Sequence, residues 1–233
     1  MFTALLSTLA LAAAPGFSTK IDNPYWPMKP GTRWVYRETA PGATPQRIVV
    51  TVTNRTKRVA SGVDVLVVHD RATEHGVVVE DTFDYYAQDR KGNVWYQGED
   101  TTEFENGKPV SKQGSWEAGV DGAKPGIVML AHPRVGRRYR EENYPGHALD
   151  GAQVMSRREQ AEVPYGHFRR VLSRRTSTRS SRRRSSTSST RAGSARCSRS
   201  ACPATTTGPS CSVTGRATGS CHNWVRADSR ADH

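Results

Sequence analysis

The stretch from Val77 to Tyr96, VVVEDTFDYYAQDRKGNVWY, decides the fold. Its first half alternates between apolar or aromatic and polar residues and is rich in β-branched side chains, the pattern of a half-buried strand rather than a helix. Asp89-Arg90-Lys91-Gly92-Asn93 then interrupts it, and Val94-Trp95-Tyr96 resumes it. Gly92 takes at little cost the positive φ that a tight reversal demands, so the spacing predicts an antiparallel hairpin. A second hairpin follows at once, with Thr101–Glu105 and Val110–Trp116 flanking Asn106-Gly107.

Working outward, the same period of two recurs on both sides. Upstream, Thr32–Arg37 puts Trp34 and Tyr36 on one face, Gln46–Thr53 groups Ile48, Val50 and Val52, and Val63–His69 groups Val63, Val65 and Val67. Asn54–Gly62 reads as the connection between the last two. Downstream, Arg137–Asn143, Gln153–Gln160 and Glu162–Leu172 read as further strands, and Gly119–Pro133 as a loop that packs one apolar plug, Ile127–Leu130. No stretch of ten residues shows helical periodicity past the opening segment. The fold class is therefore mainly β, an antiparallel meander sheet or open half-barrel with one concave apolar face and a disordered C-terminal tail.

The opening, MFTALLSTLALAAA over residues 1–14, has the length and apolarity of a signal-peptide core and is too short to cross a bilayer. Alternate alanines at 10, 12 and 14 place a cleavage site near Ala12, and the absence of a basic residue before Lys20 suggests a start further upstream. Export, to the medium or the cell envelope, is the expectation. No other stretch is long and apolar enough for a membrane helix.

Charge divides the chain again. Residues 1–172 hold 22 Lys and Arg against 20 Asp and Glu, whereas residues 173–233 hold 12 Arg against Asp228 and Asp232 alone. The tail also holds Cys197, Cys202, Cys211 and Cys221, all the cysteines of the chain. From Ser173 to Cys221 only Val213 falls outside Ser, Arg, Thr, Ala, Gly, Pro and Cys. Each of those residues can carry G or C at the middle of its codon, whereas Leu, Ile, Phe, Tyr, Lys, Asp and Glu cannot. That bias is what a GC-rich gene read one nucleotide out of frame would produce. Residues 15–172 are thus read as the β domain, and 173–233 as a disordered frameshift product that cannot bury enough apolar surface to offset its chain entropy. On that reading the sheet lacks its last strands and presents an open edge.

The chemistry-bearing residues are few. The acids Glu80, Asp81, Asp84, Asp89, Glu99, Asp100, Glu103 and Glu105 concentrate on the 77–105 hairpin. Asp81, Asp84 and Glu99 are the candidates for a paired-carboxylate hydrolase or a calcium cluster, although no calcium-loop spacing is present. Alternating acids on strands usually form the wet face of a one-sided sheet. His69 beside Asp70 is a conceivable general base, and His167 stands in PYGHF, yet no histidine pair has metal-ligand spacing and no metal or cofactor is expected. Nucleophile-elbow, phosphate-loop and dinucleotide fingerprints are absent. Asn54-Arg55-Thr56 matches a glycosylation sequon in a turn. The cysteine spacings fit no zinc pattern. Trp26, Trp34, Tyr36, Tyr85, Trp95 and Tyr96 are candidates to line the concave face and hold an apolar ligand or sugar, unless they are simply its core.

NPYWPMKPGTRWVY at Asn23–Tyr36, with EDTFDYYAQDRKGNVWYQGE and AEVPYGHF further on, resembles a family of secreted bacterial β-rich proteins with no established reaction. The resemblance covers about Pro15 to Leu172 and implies export and a β fold, but no activity. The functional expectation is a secreted, non-enzymatic β domain that binds a small apolar ligand or a protein partner on its aromatic face. The alternatives are a secreted hydrolase using the hairpin acids, and nonspecific polyanion binding through the arginine-rich tail.

Overall fold

A computed structural model describes residues 16–39, 43–163, 165–177 and 210–214. The signal-peptide reading of residues 1–14 lies outside them, as does the greater part of the tail, including Cys197, Cys202 and Cys221. The described residues are all strand, turn and loop, with no helix. Among the described residues, thirteen strands run in chain order: β1 Phe17–Ser18, β2 Arg33–Thr39, β3 Gln46–Arg58, β4 Asp64–Glu74, β5 Val77–Asp89, β6 Val94–Glu105, β7 Lys108–Ser111, β8 Trp116–Glu117, β9 Gly126–Met129, β10 Arg138–Arg140, β11 Gly151–Val163, β12 Gly166–Ser177 and β13 Ser210–Thr214.

Strands β2 to β7 form an antiparallel meander in sequence order that curls into a half-barrel. β8 and β9 both pair with β6, β1 pairs with the end of β5, and β13 lies parallel to β2. A separate three-stranded sheet, β10-β11-β12, follows. Its residues Val154, Val171 and Leu172 join Trp26, Trp34, Val50, Val52, Leu66, Val68, Tyr86, Val94 and Tyr96 in one core. The expected plug is real but ordered: Ile127–Met129 forms most of β9, with Val128 and Met129 buried.

Two expectations need correction. Val63, Val65 and Val67 face away from the main core, into a second cluster with Val59, Tyr85 and Ala87 on the convex side. Leu66 and Val68 supply the concave face, so β4 is buried on both sides and its valine-rich run reports double burial rather than a half-buried strand. The second correction concerns the boundary at Leu172. β12 continues to Ser177, five residues past the compositional break, with Ser173 and Arg174 buried, so Ser173–Ser177 belong to the sheet. At the β2 flank, β13 from the tail lies parallel to β2.

The β5–β6 reversal shows why its register holds. Asp89 Oδ1 accepts the backbone amides of Lys91 and Asn93 at 2.8 and 2.9 Å, while Oδ2 accepts Asn93 Nδ2 and Trp95 Nε1 at 2.8 and 2.9 Å. Gly92 sits at φ 85° between them. Burial pushes the Asp89 carboxyl up, but these four donors outweigh it and hold it below the usual carboxylate range.

Candidate functional site

On the concave face, cross-strand neighbours place Asp70 opposite Thr82, Thr82 opposite Thr101, and Asp84 opposite Glu99. Glu99 reaches that face through a bulge. Tyr86 pairs with Tyr96 and Tyr85 with Gly98, so one extra residue stands in β6 and its inward side changes parity. Gly98 makes this possible, because a Cβ there would lie 2.3 Å from the Trp116 carbonyl oxygen on β8. Residues directly opposite on one face have Cβ atoms about 4.5 to 5.5 Å apart, so Asp84 and Glu99 are close neighbours.

Hydroxyl donors meet both acids. The Tyr96 hydroxyl donates to Asp84 Oδ1 at 2.6 Å, Thr101 Oγ1 donates to Glu99 Oε2 at 3.1 Å, and Thr82 Oγ1 donates to Thr101 Oγ1 at 3.1 Å. Burial raises the tyrosine hydroxyls of Tyr86 and Tyr96, and the nearby Asp84 and Glu99 raise them further, so both remain protonated donors. Asp84 is fully buried and Glu99 nearly so.

Asp81 is not part of this group. It points to the convex face, where Oδ1 accepts His69 Nε2 at 2.6 Å and Arg71 Nε at 2.8 Å. Burial pushes its carboxyl up, but the hydrogen bonds from Arg71 and His69 outweigh that and hold it below its ordinary value. His69 also stacks on Phe83, with ring centroids 4.6 Å apart. The three candidate catalytic acids are thus split two and one across the sheet. The His69 partner is Asp81 and not its sequence neighbour Asp70, which faces inward.

The six candidate aromatic residues divide in the same way. Trp26, Trp34 and Tyr96 are core, with Tyr36 packed against them. Tyr96 stacks with Tyr86 at 5.0 Å and meets Trp116 edge-on at 5.4 Å. Tyr85 belongs to the convex cluster under the Lys57 ammonium, 4.1 Å from its ring centre. Trp95 turns to the convex side against Phe17. The core reading weighed for these aromatics is therefore where the structure puts four of the six.

Residues of the 22–25 lead-in, the β5–β6 turn, the loop after β9 and Arg157 of β11 line an open cleft of about 430 Å³. Its floor is a stitched network. Asn23, buried, donates through Nδ2 to the Gly92 and Leu130 carbonyls at 2.7 and 3.3 Å, and its Oδ1 accepts the Tyr25 amide at 2.8 Å. Gln88 Oε1 accepts the amides of Asp22 and Asn23, its Nε2 donates to Asp22 Oδ1 at 2.7 Å, and Asn93 Oδ1 accepts the Ala131 amide at 2.9 Å. The walls carry Lys91, His132, Arg134 and Arg157, the last donating to the Tyr25 hydroxyl at 3.3 Å. None of the six candidate aromatics lines it. The sequence signal was the Asn23–Gly31 lead-in, which its prolines mark as extended chain and which carries the aromatic Tyr25.

Among the described residues, no group of three or more His, Cys, Asp or Glu is arranged to hold a metal ion. Among the described residues, no helix is long and apolar enough to cross a membrane. Compared with family models, curated proteins and solved structures, the chain matches none.

Proposed function

We propose that this chain is an exported, non-enzymatic β domain that binds a small ligand in this open cleft. The observation that carries the reading is the floor of that cleft. Three separate segments, 22–25, 88–93 and 130–131, are locked together by side-chain-to-backbone hydrogen bonds beneath an open cleft of about 430 Å³. That volume lies within the range of small-molecule sites, which are commonly preformed. Export rests on the apolar opening and on the family resemblance.

Burial of Asp84 and Glu99 favours binding over hydrolysis. A general acid and base must lie within hydrogen-bond reach of the scissile bond, and Asp84 has no exposed surface. The test is a titration of the full chain with indole, maltotriose and citrate, followed through the amide resonances of Lys91, Gly92 and Ala131. Saturable shifts at those amides with at least one probe support the reading, and their absence with all three overturns it. Turnover of a nitrophenyl glycoside or ester that D84N abolishes would also overturn it, in favour of a hydrolase.

A further inference from the structure

The charge of the folded part is not evenly spread. Residues 16–130 hold 14 Lys and Arg against 15 Asp and Glu, whereas residues 131–177 hold ten Arg against five acids. The short loop after β9 and the β10–β12 sheet are therefore a basic layer set against a nearly neutral one. The cleft lies where they meet. It takes Arg134 and Arg157 from the basic layer and Lys91 from the β5–β6 turn.

We infer that the cleft is an anion site, built for a small ligand carrying two or more carboxylate or phosphate charges. The inference rests on the ligand-binding reading and adds the chemical class. Three exposed cationic side chains line a single open cleft, and among the described residues the side chains of Lys91 and Arg134 enter no ion pair. Arg157 is engaged only by the neutral Tyr25 hydroxyl. The one acid in the walls, Asp22, is already the acceptor of Gln88 Nε2 at 2.7 Å and lies 3.9 Å from Lys20 Nζ. Its charge is thus partly answered from outside the cavity. Arginine guanidinium groups present planar donor forks that match the paired oxygens of a carboxylate or phosphate, and lysine adds a point charge. The hydrogen-bonded floor fixes the Tyr25 and Gly92 backbone, so binding has to order only the side chains of the site.

The test uses the full chain at low salt, with citrate and inorganic pyrophosphate as anionic probes and maltotriose and indole as neutral ones. Citrate or pyrophosphate is expected to shift the amides of Lys91, Gly92 and Ala131 saturably, more tightly than either neutral probe, and to weaken as sodium chloride is raised. Whichever of the two binds more tightly names carboxylate or phosphate as the natural group. R134E/R157E, at two exposed positions, should weaken that binding by roughly tenfold or more. R138E/R169E makes the same charge change outside the cleft and should leave it within about twofold. Shifts at the cleft from a neutral probe alone would overturn the anion class and leave the ligand-binding reading standing, and no shift from any probe would overturn both. Equal losses in the two double variants would also overturn the site, because they would mean general attraction to a basic surface.

Discussion

The β5–β6 and β11–β12 hairpins are nearly equal in length and opposite in character. Across β5–β6 the pairing runs from Glu80–Glu103 to Gln88–Val94 with one irregularity, the Gly98 bulge. Across β11–β12 the register shifts three times, between Val154 and Ala161. The first hairpin buries both faces, Thr82, Asp84 and Tyr86 inward and Tyr85 and Ala87 outward, and its turn is held by four donors to Asp89. The second buries residues mainly near its base, and Arg157, Arg158, Arg169 and Arg170 along its arm are all exposed. A one-residue slip in β5–β6 would exchange its two buried faces, putting Thr82, Asp84 and Tyr86 where Tyr85 and Ala87 pack, whereas the same slip in the polar arm of β11–β12 disturbs little. Register is fixed by burial, and a strand that buries little must be anchored elsewhere.

The anchor of β12 is Arg174. It is buried, its Nη1 donates to the Val128 carbonyl at 2.8 Å, to the Tyr139 hydroxyl at 3.0 Å and to Glu141 Oε1, and its guanidinium lies 5.6 Å from the Trp26 ring centre. The largest effect is therefore expected there. Glu141→Ala leaves a buried cation without its counter-charge and should cost about 3 to 5 kcal/mol in urea unfolding. Arg174→Leu with Glu141→Leu should recover most of it, since it is the lone charge that is costly. A loss below about 1 kcal/mol for the single change would mean that β12 is held some other way.

Next in size is Gly98→Ala. The added Cβ would meet backbone at 2.3 Å, and φ there is 135°, a region that alanine rarely enters, so about 2 to 3 kcal/mol is expected. Near-native stability would show that Glu99 reaches the concave face without that bulge. Asp89→Ala removes the acceptor of four donors at the turn and should cost about 2 kcal/mol, read from the urea midpoint. An unchanged midpoint would place the register of β5–β6 in its faces alone.

The smallest effect is a pH dependence. Asp81 has a folded pKa below its unfolded one, so its contribution is complete above about pH 4 and is lost as pH falls through the lower folded value. Asp81→Asn should lower stability at neutral pH and flatten the acid limb of a stability-versus-pH curve. An acid limb as steep in Asp81→Asn as in the parent chain would assign that slope to other carboxylates.

Much of the fold was legible because it depended on neighbours in sequence. Alternation marked β2 to β6, and Asp89 to Asn93 marked the central turn. The faces were less legible. Period two says that Asp81 and Asp84 lie on opposite sides, but not that β4 and β5 are buried on both. It also misplaces Glu99, because an inserted residue reverses the parity downstream of it. Composition hid Arg174 altogether, since a buried arginine and a disordered one look alike within a run of Ser, Arg and Thr.

The sequence alone determined that this is a β-rich chain of consecutive hairpins with a compositional break near Leu172, because strand period, turn chemistry and residue bias are local properties. Only the tertiary structure decided which acids meet, how far β12 runs and where the cleft lies. Those depend on side chains far apart in the chain, Asn23 with Leu130 and Glu141 with Arg174, whose contacts exist only once the two sheets have packed.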